Sequence, residues 1–407
     1  MISSRIDRDA AWRVGICVIW GIALLYAAGG ESRGDEYVHF DQVRRFLTGE
    51  GGILRDTLTT IPVYHWLVMF AMKLTGAESL GAARAISGLS ALLAIAGFVR
   101  LRRAVLGRDD RLGGTQFALL PLMAPFAFLV YTDIPSLAAM LWATDASVRG
   151  RHTRAAALLV VAIGMRQNNV YWLSLLVALA TTPALRERGW ASLRETLPPL
   201  WPYAVPVALF AGYWAWNGSI SYANAQSRAH PDTSLHVGNL YFMLYCAAIL
   251  LPLQVLDGLR RFVVDAVARP WLIVVPAALF GVFHFAFVVD HPYNLIENAA
   301  SWRNRVLELT LHSAAFKAAF GGIATLAGIG LAWQPLANVS ARWLYPLAAL
   351  FVSLSWLVEQ RYYLIPLALF LAFREPLSRR AELATLALWC ILAVFLFHGM
   401  ISGNWYL

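Results

Sequence analysis

Apolar stretches of about 20 residues, the length that carries an α-helix across a bilayer, recur from one end of this chain to the other. That recurrence restricts the fold more than any other feature. A segment in lipid must satisfy its backbone internally, so the expected class is an all-α polytopic membrane protein. The balance of residues agrees, since 59% are hydrophobic and only 14% are charged, too apolar for a soluble globule. The formal charge of +9 comes almost wholly from arginine, Lys73 and Lys317 being the only lysines. Those arginines cluster in short loops between apolar runs, which fits positive-inside topology and argues against nucleic acid. Cys17, Cys246 and Cys390 fall inside apolar runs without ligand spacing, so neither a disulfide nor a bound metal is expected.

Following the arginines gives a path through the membrane. A first span near 11–29, preceded by Arg5, Arg8 and Arg13, reads as an uncleaved signal anchor and delivers residues 30–80 to the outer side. Residues 61–72 are too short to cross and read as a juxtamembrane helix with Pro62 in its first turn. Spans are predicted near 82–100, 115–131 and 134–148. Residues 155–183 follow as two half-spans meeting at Arg166-Gln167-Asn168-Asn169. Further spans are predicted near 198–216, 239–256, 270–289, 313–333, 342–357, 361–373 and 382–401. The total is about 13 spans or half-spans in one domain, with outer loops at 217–238 and 290–312.

Four polar fragments sit where apolar runs end or break: Asp35-Glu36-x-x-His39-x-x-Gln42, Tyr131-Thr132-Asp133, Arg166-Gln167-x-Asn169 and Glu359-x-Arg361-Tyr362-Tyr363. Polar groups at such places are costly unless they line a site or reach water. On a helix Asp35, His39 and Gln42 share one face, and Asp56, Thr59, Thr60, Tyr64 and His65 add polar groups on the same loop. Arg166 near mid-span costs about 2.5–3.5 kcal/mol on insertion scales unless partnered, and its planar fork suits phosphate. Each fragment also has a plainer reading. Asp35-Glu36 can be a solvated turn, Arg166 the partner of a buried carboxylate, Glu359 and Arg361 a structural ion pair, and Asp133 a cap.

In their order these fragments resemble the terminal alpha-1,2-glucosyltransferase family of the N-glycan precursor pathway, within the GT-C superfamily. The resemblance rests on Asp35 to Gln42, Thr59-Thr60-Ile-Pro62, Tyr131 to Ser136 and Arg166 to Trp172. It continues through Asn217-Gly218, His230, His236, Tyr241-Phe242, Asp290-His291-Pro292-Tyr293, Glu297-Asn298 and Glu359 to Tyr363. One departure is the stretch from Ser221 to His230, which lacks the family's Gly-Asp step.

The resemblance implies a GT-C bundle with its site on the lumenal or periplasmic side, in a bacterial inner membrane or the ER membrane. It implies an inverting hexosyltransferase that takes its sugar, glucose above all, from a polyprenyl-phosphate donor to a glycan or glycolipid acceptor. No cofactor or metal is called for. Asp35, or failing that Glu36, would be the general base. Arg166 and Arg361 would bind the donor phosphate. His39, Gln42, Tyr131, Asp133, Gln167, Asn169, Glu359 and Tyr362 would hold substrate. Transfer of mannose or a pentose, or sugar-lipid transport without catalysis, stays open beside this reading; a transporter would be expected to show polar groups at all depths and an internal repeat.

Overall fold

The computed structural model describes residues 2–50, 52–53, 57–222, 235–295 and 301–404. The chain there is helical and has no strand, and an isolated bridge joins Leu336 to Arg374. Helix α1 (Ile2–Ala28) leads to a loop carrying two short helices, α2 (Glu36–Thr48) and α3 (Val63–Thr75), which pack on each other. Thirteen residues rise only about 20 Å, short of the roughly 30 Å hydrocarbon core, so α3 has the length expected of a juxtamembrane helix.

Helix α4 (Leu80–Leu106) returns to the opposite end and α5 (Arg111–Ala118) begins the next ascent. The span expected near 115–131 is not one helix: it ends at Ala118, and residues 119–132 run as buried turns. Pro121 and Pro125 explain the break, because each lacks the amide proton that a continuing helix requires. Helix α6 (Asp133–Val148) then descends against α4. A Cβ on Gly97 would come within 2.9 Å of the Trp142 ring, so glycine there lets the two helices approach.

Helix α7 (His152–Met165) rises, breaks at Arg166, and continues through a 3-10 turn (Gln167–Tyr171) into α8 (Trp172–Arg188). The break falls at the polar residues that the sequence marked. After the short α9 (Leu193–Thr196), α10 (Ala204–Asn217) climbs back to the first end. Helix α11 (Gly238–Leu250) runs down from that end and bends by 104° into α12 (Pro252–Ala268). Helices α13 (Val274–Ala286), α14 (Pro292–Leu295), α15 (Trp302–His312), α16 (Ala314–Ala332), α17 (Leu344–Ser353), α18 (Leu364–Phe373) and α19 (Arg379–Ser402) complete the bundle.

Helices α1, α4, α16 and α19 are each long and apolar enough to cross a membrane, and the bent pair α11–α12 passes together. Several other segments are shorter. The bundle therefore mixes full spans with broken ones, and the broken ones supply the polar chain ends that gather at one face.

Candidate active site

The ends of α1, α4, α6, α7, α11, α17 and α18 meet at one end of the bundle, and nearly all the fragments singled out from the sequence converge there. Asp35 caps the start of α2, reached through a turn at Gly34, whose φ of +54° is left-handed. Its amide donates to the Tyr131 hydroxyl (2.7 Å), which in turn donates to the Arg33 carbonyl. The Asp35 carboxylate is 57% exposed and accepts from the Arg361 guanidinium at 2.8 Å. That charge holds the Asp35 carboxyl below its usual value of 3.8, against the upward push of burial.

Arg361 lies over the Tyr131 ring, 5.3 Å from its centroid, and 3.8 Å from Glu359. Glu359 also pairs with Arg303, a residue the sequence reading passed over. Asn239, likewise missed, fixes the backbone around this turn. Its carboxamide donates to the carbonyls of Ser355 and Leu357 and accepts from the Glu359 amide and the Tyr363 hydroxyl.

Arg166 pairs with Asp133, so the plainer reading of this arginine holds in part. It also stacks over Tyr362 at 5.1 Å and lines a polar cleft of about 130 Å³, so it faces a ligand space as well. Thr59, Thr60, Gln167, Asn168 and Trp356 complete the polar wall of that cleft. The second Asp133 oxygen and the Arg361 Nε are buried with no hydrogen-bond partner among the described residues. Orphaned polar atoms in such a place fit a site whose partner arrives with substrate. Asp35 lies outside the cleft wall and connects to it through Arg361 and the adjoining Tyr362.

His39 meets His65 at 2.9 Å and stacks on it. Burial pushes His39 down to about 4, so its ring is neutral near pH 7.

Three expected site residues sit elsewhere. Glu36 is fully buried, and each oxygen takes two donors: Arg84 and the Val130 amide on one, Arg84 and the Arg33 amide on the other. With its acceptor positions filled, it has no free face for a substrate. Gln42 is buried and donates to the Gly52 carbonyl. Asn169 is buried and donates to Ser136 and to the Ala162 carbonyl, which secures the break between α7 and α8. Arg84 itself stands inside an apolar run, the same signal that marked Arg166. Of the residues carrying the resemblance, His230, Glu297 and Asn298 lie outside the described residues, as does Asp56. No group of three or more His, Cys, Asp or Glu side chains is placed to hold a metal ion among the described residues.

The family model described as the DIE2/ALG10 family matches residues 31–195 and 184–372. Among solved structures the chain is similar to ArnT from Cupriavidus metallidurans, in the apo state and bound to undecaprenyl phosphate. Identity is 15% in both, over 95% of this chain and 78% of that one, with TM-scores of 0.46 and 0.43. It is also similar to the oligosaccharyltransferase AglB from Archaeoglobus fulgidus in complex with an inhibitory peptide and a dolichol-phosphate. Identity there is 13%, over 98% of this chain and 56% of that one, with a TM-score of 0.40. No curated protein matches significantly.

Proposed function

The chain belongs to the DIE2/ALG10 family and is a GT-C glycosyltransferase; from that premise we propose that it inverts at the anomeric carbon while moving a hexose from a polyprenyl-phosphate donor. Glucose is the proposed sugar, by the resemblance of its motifs, and a glycan or glycolipid is the proposed acceptor. The observation that carries the reading is the exposed Asp35 carboxylate bridged to Arg361, beside a cleft that Arg166 lines. The site end holds fewer arginines than the opposite end, which supports a lumenal or periplasmic site.

In this proposal the acceptor hydroxyl attacks the anomeric carbon as the bond from that carbon to the phosphate oxygen breaks. The bonding pair leaves with the phosphate, and the hydroxyl proton passes to the Asp35 carboxylate. Arg166 and Arg361 stabilise the charge growing on the phosphate, where a guanidinium fork is suited to oxygen pairs. The depressed pKa of Asp35 makes it a weak base while Arg361 holds it. When Arg361 turns to the donor phosphate that hold is released, so Asp35 becomes more basic as the donor seats. His39, Tyr131, Gln167, Glu359 and Tyr362 are the proposed partners of sugar hydroxyls. Glu36, Gln42 and Asn169 are assigned to the scaffold instead.

The test is transfer from radiolabelled polyprenyl-phosphate glucose to endogenous acceptors in solubilised membranes, wild type against Asp35→Asn. A general base contributes about 10²–10⁴-fold, so the variant should lose that much transfer at equal expression. Undiminished transfer would remove Asp35 from the mechanism. Transfer from a mannose or pentose carrier, with none from the glucose carrier, would overturn the choice of sugar.

A further inference from the structure

At the end of the bundle remote from Asp35 the molecule carries a second polar cleft that the proposed transfer reaction does not use. Its volume is about 790 Å³, and Arg260, Arg261, Arg269 and Arg342 line it together with Asp257 and Asp265. The two carboxylates are already engaged. Asp257 holds Arg261 at 2.8 Å and accepts from Gln334, and Asp265 accepts from the Trp333 indole at 2.9 Å. The guanidiniums of Arg260, Arg269 and Arg342, all exposed residues, make no hydrogen bond or ion pair among the described residues. Four guanidiniums against two carboxylates leave the cleft with a net charge of +2, which suits an anion.

A neighbouring cavity indicates the class of anion. An apolar space of about 740 Å³ runs between α11, α13, α16, α17 and α18, from Tyr363 near the site end down to Trp271 and Trp333. Ala332, Trp333 and Tyr345 line both spaces, so the apolar cavity adjoins the arginine cleft. Helix α12 turns 104° away from α11 and exposes Leu256, Val263, Val264 and Val267, the pattern of a helix lying in the bilayer interface. Trp271 and Trp343 are exposed at the same end, as interfacial tryptophans are.

We propose that these adjoining spaces bind an anionic phospholipid, with its phosphate among Arg260, Arg269 and Arg342 and an acyl chain in the apolar cavity. Both chemical halves of the ligand are matched, a charge to the cleft and a hydrocarbon chain to the cavity. The arginines lie at the far end of the bundle from Asp35, so a headgroup held there stays outside the reaction while the lipid braces the bent α11–α12 pair against α16.

Native mass spectrometry of the delipidated full-length protein, titrated with phosphatidylglycerol, reads this directly. The comparison is wild type against Arg260→Gln/Arg269→Gln/Arg342→Gln and a control, Arg186→Gln/Arg188→Gln/Arg194→Gln. With three arginines removed from beside an anionic headgroup, the first triple variant should bind one lipid roughly 100-fold more weakly. The control should bind as wild type does. Ala278→Trp, which fills the cavity wall and leaves every arginine in place, should weaken binding as well. Equal binding by wild type and the first triple variant, or equal loss in the control, would overturn the site. So would equal occupancy by phosphatidylethanolamine, displacement by undecaprenyl phosphate at equal concentration, or an equivalent thermal shift with inorganic phosphate alone.

Discussion

Asp35 and Glu36 are consecutive carboxylates, and the structure treats them in opposite ways. Glu36 points inward to Arg84, where all five guanidinium N–H donors are used, two on Glu36 and the rest on the carbonyls of Ala27, Gly30 and Glu31. Asp35 points outward, holds Arg361 through one oxygen, and leaves the Arg361 Nε without a partner among the described residues. A closed node fixes backbone, whereas an open one keeps its groups available to a ligand. The loop needs both, since the Glu36–Arg84 node pins the exit of α1 and the start of α4, and Asp35 is presented from that fixed point.

Breaking the closed node should give the largest effect. Arg84→Met leaves an uncompensated buried carboxylate, a change of about 3–5 kcal/mol, and should lower the melting temperature or abolish monodisperse expression. The double variant Glu36→Met/Arg84→Met removes both charges and should recover much of that loss. If Arg84→Met alone melts as wild type does, the closed node is not what holds the loop.

On the open side the same kind of change should leave folding almost intact and act on catalysis. Arg166→Lys keeps the charge on Asp133 but loses the fork, so kcat/KM should fall about 10–100-fold, some 1.4–2.7 kcal/mol of transition-state stabilisation. The melting temperature should move little, because Arg166 is partly exposed. A large stability loss with normal kinetics in the surviving fraction would reverse the contrast between the two nodes.

Gly34 joins the two sides. Its positive φ disfavours any side chain, and a Cβ there would come within 2.6 Å of the Tyr131 hydroxyl that receives the Asp35 amide. Gly34→Ala should therefore cost about 1–2 kcal/mol of stability and lower transfer with it, as Asp35 loses its seat. Unchanged transfer beside lowered stability would show that the Tyr131 contact does not position the carboxylate.

These contrasts also mark what the sequence could reveal. The convergence of Asp35, Arg166 and Arg361 at one end was legible because Arg166 breaks an apolar run and Asp35 and Arg361 stand where runs end, places where a polar group needs a reason to be. The break in α7–α8 was legible for the same reason. Arg84 gave the same signal at Ala82-Ala83-Arg84-Ala85, yet near the edge of a span it reads as an arginine reaching for water. That Glu36 rather than Asp35 receives it depends on which way a one-residue step rotates the side chain around α2, a tertiary outcome. The pairing of Arg303 with Glu359 joins residues 56 apart and leaves no local trace. Residues 115–131 were misjudged because hydropathy outweighed Pro121 and Pro125, and buried turns in a bundle are as apolar as the helices around them.

The smallest effect at neutral pH is one that acid exposes. His39 titrates near 4 in the folded chain, against 6.5 for an ordinary imidazole, mainly because burial opposes its charged form, and His65 beside it is lowered too. With folded values below unfolded ones, the unfolded chain binds more protons as the pH drops beneath 6.5. The stability these rings contribute is complete above pH 6.5 and is lost progressively as the pH falls toward 4. Melting temperature should therefore decline over that window in wild type and decline less in His39→Gln, which has no imidazole to protonate at that position. The Glu36–Arg84 node contains no imidazole, so the part of the acid slope that His39→Gln removes belongs to the open side of the loop. An identical slope in His39→Gln would place the acid-sensitive group elsewhere and separate the histidine pair from the site.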